Sequence, residues 1–144
     1  MRRVLLPWAV IVATVAQSGA SDGRYLYTLH CSGCHVRDGS GSVEGRIPAL
    51  AGTIGHFQKL PEGRRFTLQV PGVMNSGLKD EDVAALMNWV VPHFAGASQE
   101  GTFMPYTSDE VGAARRNRPP DIFAARRAVA AKLAKMRGVI IDGY

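Results

Sequence analysis

The chain is short of cysteine: it holds two, Cys31 and Cys34, three positions apart. So few exclude a disulfide-framework scaffold, and no second Cys pair is present to complete the four-ligand set of a structural zinc site. A disulfide across so small a loop is strained and closes little chain entropy, so a bare structural bridge is a poor reading too. Long apolar runs are also missing. The longest, Val4 to Ala16, has thirteen residues and is broken by Pro7, against roughly 20 for a helix that crosses a bilayer. No internal repeat and no low-complexity tract appears, which excludes repeat arrays and biased linkers.

What is there fits a folded globular protein. Hydrophobic residues make up 46% and charged residues 20% of 144 positions, enough for one core plus an extension but not for two ordinary domains. The first twenty residues stand apart. Arg2 and Arg3 give a positive start, the apolar run follows, and Ser18-Gly19-Ala20 offers small residues at a cleavage point. This pattern predicts a signal peptide over 1–20, removed on export to an oxidising compartment such as a bacterial periplasm, with a retained anchor as the weaker alternative.

Charge is uneven along the remainder. Residues 21–94 carry seven Lys/Arg and seven Asp/Glu, whereas 95–144 carry eight against five. Between Arg115 and Arg137 the single acid is Asp121. This basic stretch is first expected to pack back on the domain while its charges meet water; the alternative is docking to an acidic redox partner or an anionic membrane surface. Nucleic acid is a poor fit, because an exported chain seldom meets it and this basic stretch lacks interleaved aromatics.

The punctuation predicts four pieces. A short helix runs from about Asp22 into Cys31, with Tyr25, Leu26, Tyr27 and Leu29 as apolar cover. A Gly-rich loop follows from Gly39 to Gly55, then short helical turns at Phe57–Leu60 and Arg64–Gln69. A third piece begins at Lys79-Asp80-Glu81-Asp82, carries Val83, Leu86, Met87 and Val90 on one face, and is expected to stop at Pro92. A fourth helix spans Asp121 to Arg137, with Ile122, Val129, Leu133 and Met136 as its stripe, Arg126, Arg127, Lys132 and Lys135 off it, and Gly138 as the stop. Ala95 to Pro120 reads as an arm or linker.

The chemistry is concentrated in His30-Cys31-Ser32-Gly33-Cys34-His35. A Cys-x-x-Cys-His run is the attachment signature of c-type haem. Two thiols three residues apart lie on one turn of backbone and reach two neighbouring vinyl groups of a porphyrin, and His35 then projects under the iron. A thioredoxin-like redox pair needs a strand-to-helix setting, and no strand-rich run precedes Cys31.

With these residues in view, 21–94 resembles a class I cytochrome c domain. The likeness rests on Gly23-Arg24-Tyr25-Leu26-Tyr27 before the Cys-x-x-Cys-His run, Asp38-Gly39-Ser40-Gly41, Pro48-Ala49-Leu50-Ala51-Gly52, and Leu78 to Leu86 leading to Trp89. The resemblance implies an all-α, cytochrome c-like fold of short helices around one covalently bound haem c, with 95–144 as a C-terminal helical extension. It implies that the first and last helices of the domain cross at Gly23, Tyr27, Leu86 and Trp89, and that the Pro48 carbonyl accepts a hydrogen bond from His35, fixing its tautomer.

The family's usual sixth ligand is a methionine on a loop before the closing helix, where a thioether favours ferrous iron. Met74 fits by position, although Asn75 stands where the family usually has Pro. Met104 has the better local spelling, Met-Pro before an acidic helix start, but falls after the closing helix. His56, His93 and an open, five-coordinate iron are the other possibilities. The expected function is single-electron transfer between a periplasmic dehydrogenase and an oxidase or other cytochrome, without catalysis. The competing reading is a haem enzyme or small-ligand sensor with an open distal site.

Overall fold

The computed structural model describes residues 21–141, so the predicted signal peptide at 1–20 lies outside the described residues. Among the described residues eight α-helices follow one another: α1 (Gly23–His30), α2 (Ser32–His35), α3 (Ile54–Phe57), α4 (Pro61–Gln69), α5 (Pro71–Met74), α6 (Asp80–Phe94), α7 (Ser108–Arg116) and α8 (Ile122–Arg137). The only extended pairing among the described residues is an isolated bridge between Ser42 and Ile47. The fold is all-α, as the sequence predicts.

The frame is the crossing of α1 and α6. Asp22 caps α1 by accepting from the Arg24 amide at 2.9 Å. Leu26 and Tyr27 turn inward, at 4% and 2% exposure, and meet Leu86, Val90 and Phe94 of α6. Tyr25 and Leu29, expected to share the apolar cover, instead face solvent at 60% and 58%. A short helix lying on one neighbour has a single buried stripe, and Leu26 and Tyr27 take it.

Acids in the first turn of α6 meet the positive end of its dipole. The expected stop at Pro92 is not found: α6 continues through Pro92 to Phe94. The hydrogen bond that proline cannot make is a single one near the helix end, whereas Val91 and Phe94 on either side are buried at 0% and 5%. Packing outweighs the roughly 3 kcal/mol a proline costs in a helix interior.

The stretch 95–120, read from the sequence as an arm, is structured. Asn88 pairs with the Tyr106 backbone in both directions, accepting from its amide at 2.6 Å and donating to its carbonyl at 3.0 Å. Thr107 then caps α7 by accepting from the Glu110 amide at 3.2 Å. Val111 and Ala114 of α7 enter the main core, so part of the extension completes the same cluster that α1 and α6 form.

Helix α8 begins at Asp121, whose carboxylate accepts from the Phe123 and Ala124 amides at 2.9 Å each. Val129 and Leu133 lie on Phe57, Leu60 and Phe66 of the α3–α4 region, forming a second cluster beside the main one. Two expectations for α8 fail. Met136 is 61% exposed, while Val139 and Ile141 beyond it pack on the second cluster, and Arg126 is buried at 8% with its guanidinium 5.7 Å from the Phe57 ring centre. Its aliphatic stem and cation both suit an aromatic floor.

Candidate functional site

The Cys-x-x-Cys-His segment is a tight turn joined to the end of α1. The Cys31 amide bonds to the Tyr27 carbonyl at 2.9 Å, and the Cys31 carbonyl accepts from the Cys34 and His35 amides at 3.1 and 2.9 Å. Cys31, Cys34 and His35 therefore share one turn, and neither cysteine is in a disulfide. Cys31 is half-buried against the main core, while Cys34 is exposed.

Burial, and secondarily the neighbouring Cys34, push the Cys31 thiol up to about 11. A redox-active cysteine of the thioredoxin type needs its thiol lowered to be a thiolate near neutrality, so Cys31 has the wrong electrostatics for that role. Among the described residues no three His, Cys, Asp or Glu side chains converge into a metal site, which leaves zinc without its ligands.

His35 is oriented from behind. Its Nδ1 lies 3.1 Å from the Pro48 carbonyl oxygen and donates to it, the bond the resemblance implied, which makes Nε2 the unprotonated nitrogen of a neutral ring. Burial lowers the His35 pKa, with the Pro48 bond opposing, so the ring is held neutral, as a metal-ligating imidazole must be. Pro48 is brought there by a turn that only a small residue allows: Gly41 stands at φ +73°, and a Cβ on it would collide with the backbone of Ile47 and Pro48. The Gly41 amide bonds back to the His35 carbonyl at 3.0 Å, closing the loop on the ligand.

These residues fit a covalently held porphyrin. Two unpaired sulfurs stand one turn apart, a neutral imidazole is aimed by its far nitrogen, and Leu50, Val73 and Leu78 are half-buried apolar side chains packed against the same cluster as Cys31. They offer an apolar macrocycle the surface it would cover.

The four distal candidates are differently placed. Met74 ends α5, a single turn following Pro71, and is half-buried, next to Val73 on the core. Met104 is 68% exposed, and its carbonyl is held by the Arg64 guanidinium. His93 is exposed and stacked on Trp89 at 4.2 Å between ring centres. His56, on α3, has its pKa lowered by burial and by Lys59.

Sequence reasoning missed two contacts beside the site, one of them made by Tyr27, which it placed only at the helix crossing. Tyr27 donates its hydroxyl to the Val36 carbonyl at 2.5 Å. Arg64 anchors the segment that carries Met104, donating to both Glu110 carboxylate oxygens at 2.6 and 2.7 Å and to the Met104 and Pro105 carbonyls, with its guanidinium 3.7 Å over the Tyr106 ring. No local pattern signals either contact. A cavity of about 680 Å³ between α4, α7 and α8 is lined by Phe66, Leu68 and Val129 among others, and by none of the sequence-predicted ligands.

Comparison with known proteins points the same way. Residues 20–93 match the family model described as Cytochrome c. Two proteins from Thermus thermophilus named cytochrome c-552 are similar: one is 29% identical, covering 92% of this chain and 100% of its own length, and the other 30% identical, covering 78% and 99%. A fructose dehydrogenase cytochrome subunit from Gluconobacter japonicus is 28% identical over 54% of this chain and 19% of its own length.

Proposed function

Because this chain belongs to the cytochrome c family, as an electron carrier with covalently bound haem c and not an enzyme, we propose that Cys31 and Cys34 form the two thioethers, and that His35 and Met74 ligate the iron. The haem supplies a one-electron couple. The protein's part is to hold that couple rigid, so that little reorganises on reduction, and to fix the donor strength of its ligands. His35, bonded to Pro48, does this on one side. Met74 is favoured on the other because its short helix α5 packs beside the core that carries Cys31, whereas the Met104 side chain points to solvent on a segment held by Arg64.

In this reading residues 21–94 are the haem domain and 95–144 an extension that wraps it. The protein is exported by its first twenty residues and takes electrons from a periplasmic dehydrogenase to a downstream acceptor. The dehydrogenase cytochrome subunit among the relatives supports a partner of that kind. Helix α8 is the docking element, since Arg127, Lys132 and Lys135 are exposed on it and Arg118 just before it. An acidic partner would then be recognised with a rate that falls as salt rises.

The observation that carries the proposal is the shared turn of Cys31, Cys34 and His35, with the ring bonded to Pro48. The test is spectroscopic. Exported protein should gain the mass of one haem, and the ferric form should show the weak red-end band of sulfur ligation. Met74→Ala should abolish that band, Met104→Ala should leave it, and the unmodified reduced protein should not bind carbon monoxide rapidly. Loss of the band on changing Met104 instead would move the ligand to that residue, and rapid carbon monoxide binding would favour an open site.

A further inference from the structure

Val36 follows His35 directly, and its backbone stands at φ 62°, ψ 164°. That region is essentially reserved for glycine, and a β-branched side chain makes it worse. Packing does not recover the strain, because Val36 is 43% exposed. The conformation is therefore imposed from outside. Its carbonyl accepts from the Tyr27 hydroxyl at 2.5 Å and from the Gly39 amide at 3.3 Å. Tyr27 is a fixed post: it is 2% exposed and its ring lies 5.5 Å from Trp89 and 4.9 Å from Phe94. A hydroxyl so confined cannot follow an acceptor that moves away.

We propose that Tyr27 is a positioning residue for His35: its hydroxyl holds the Val36 carbonyl in a strained backbone, and that backbone sets the angle from which the His35 imidazole reaches both the Pro48 carbonyl and the haem iron. The inference rests on His35 as the axial ligand. Its consequence is electronic. The bond from Nδ1 to Pro48 makes His35 a stronger donor and so favours ferric iron. Without the Tyr27 hydroxyl, Val36 relaxes toward ordinary φ, the imidazole turns, the Pro48 bond weakens, ferric iron loses support, and the potential rises.

The test compares four full-length, haem-loaded proteins: unmodified, Tyr27→Phe, Val36→Gly, and the double variant. Two quantities are read: the exchange rate of the His35 Nδ1 proton by NMR, and the reduction potential. Tyr27→Phe should speed that exchange about tenfold, the equivalent of one lost hydrogen bond, and raise the potential. In the Val36→Gly background the same change should do little to either, since no strain is left to release. Equal effects in both backgrounds, or a fall in stability with neither quantity moved, would reduce Tyr27 to ordinary packing. Should Tyr27→Phe not fold, Val36→Gly still tests the strain on which the proposal stands. Unchanged or raised thermal stability supports the strain, and the loss usual for a new glycine overturns it. A product without added haem mass would sink the haem assignment itself, before any variant is compared.

Discussion

Gly23 and Trp89 meet so closely that a Cβ added to Gly23 would lie 2.5 Å from the Trp89 Cβ and 2.5 Å from the Ala85 carbonyl oxygen. Backbone contact at this point lets α1 and α6 cross, and the crossing places Tyr27, and with it the turn that starts at Cys31, on the core.

Gly23→Ala should therefore destabilise the protein although alanine is the better helix former. Propensity offers about 1 kcal/mol at most, while forcing two helices apart at a packed crossing costs about 1–3 kcal/mol and disturbs every contact along the pair. A net loss of about 1 kcal/mol is expected from urea unfolding of the haem-loaded protein. A gain would mean that the crossing yields without cost.

Arg64→Lys should fail as a conservative change. The guanidinium serves two carboxylate oxygens and two backbone carbonyls at once and covers the Tyr106 ring, and an ammonium cannot reproduce that planar fork. The Arg64 side chain is 18% exposed and Glu110 35%, so solvent screening holds the expected loss to about 2 kcal/mol. The loss should appear in the unfolding midpoint and persist in high salt, because the carbonyl contacts are not screened as an exposed ion pair is.

What was legible in the sequence was local. The Cys-x-x-Cys-His run, the Asp22 and Asp121 caps, the acidic start of α6 and the Gly138 stop are each written within a few residues. Helix α7 was legible too, since Thr107 and Glu110 have capping-box spacing, but the Gly, Ser, Thr and Pro around them read as linker. Arg126 lies four residues after Ile122 and three before Val129, on the buried stripe by spacing alone, and its charge hid it. The Arg64 contacts join residues 40 to 46 positions apart, and a valine is the last residue from which a glycine-like backbone would be read at position 36.

Alkaline pH offers a direct test of the Tyr27 environment. Burial first, then the Cys31 and Asp38 charges, push its hydroxyl from 10 up to about 12. With Cys31 in the proposed thioether that residue would carry no charge, and burial and Asp38 would remain. With the folded pKa above the unfolded one, the contribution is fully present below pH 10 and is lost as pH rises toward 12. It amounts to about 2 kcal/mol. Stability measured by denaturant should fall across that window, and Tyr27→Phe should flatten its own share of the slope, leaving the share of Tyr106, whose hydroxyl is raised by burial as well. An unchanged slope would place the Tyr27 hydroxyl in contact with solvent.

Leu133→Ala separates holding the fold from tuning the haem. Leu133 is fully buried in the cluster with Phe57, Leu60, Phe66 and Val129, distinct from the cluster that contains Tyr27 and touches Cys31. Removing its side chain should cost about 2–4 kcal/mol, because the aromatic floor beneath α8 collapses only partly into the space. If α8 is a strap seated on this second cluster, the potential and the sulfur band should stay where they are while the unfolding midpoint drops. Because α8 also carries Arg127, Lys132 and Lys135, electron transfer to an acidic partner should weaken only where α8 has begun to detach, at temperatures near the lowered midpoint. A shift in potential at ambient temperature would show instead that the two clusters are mechanically one.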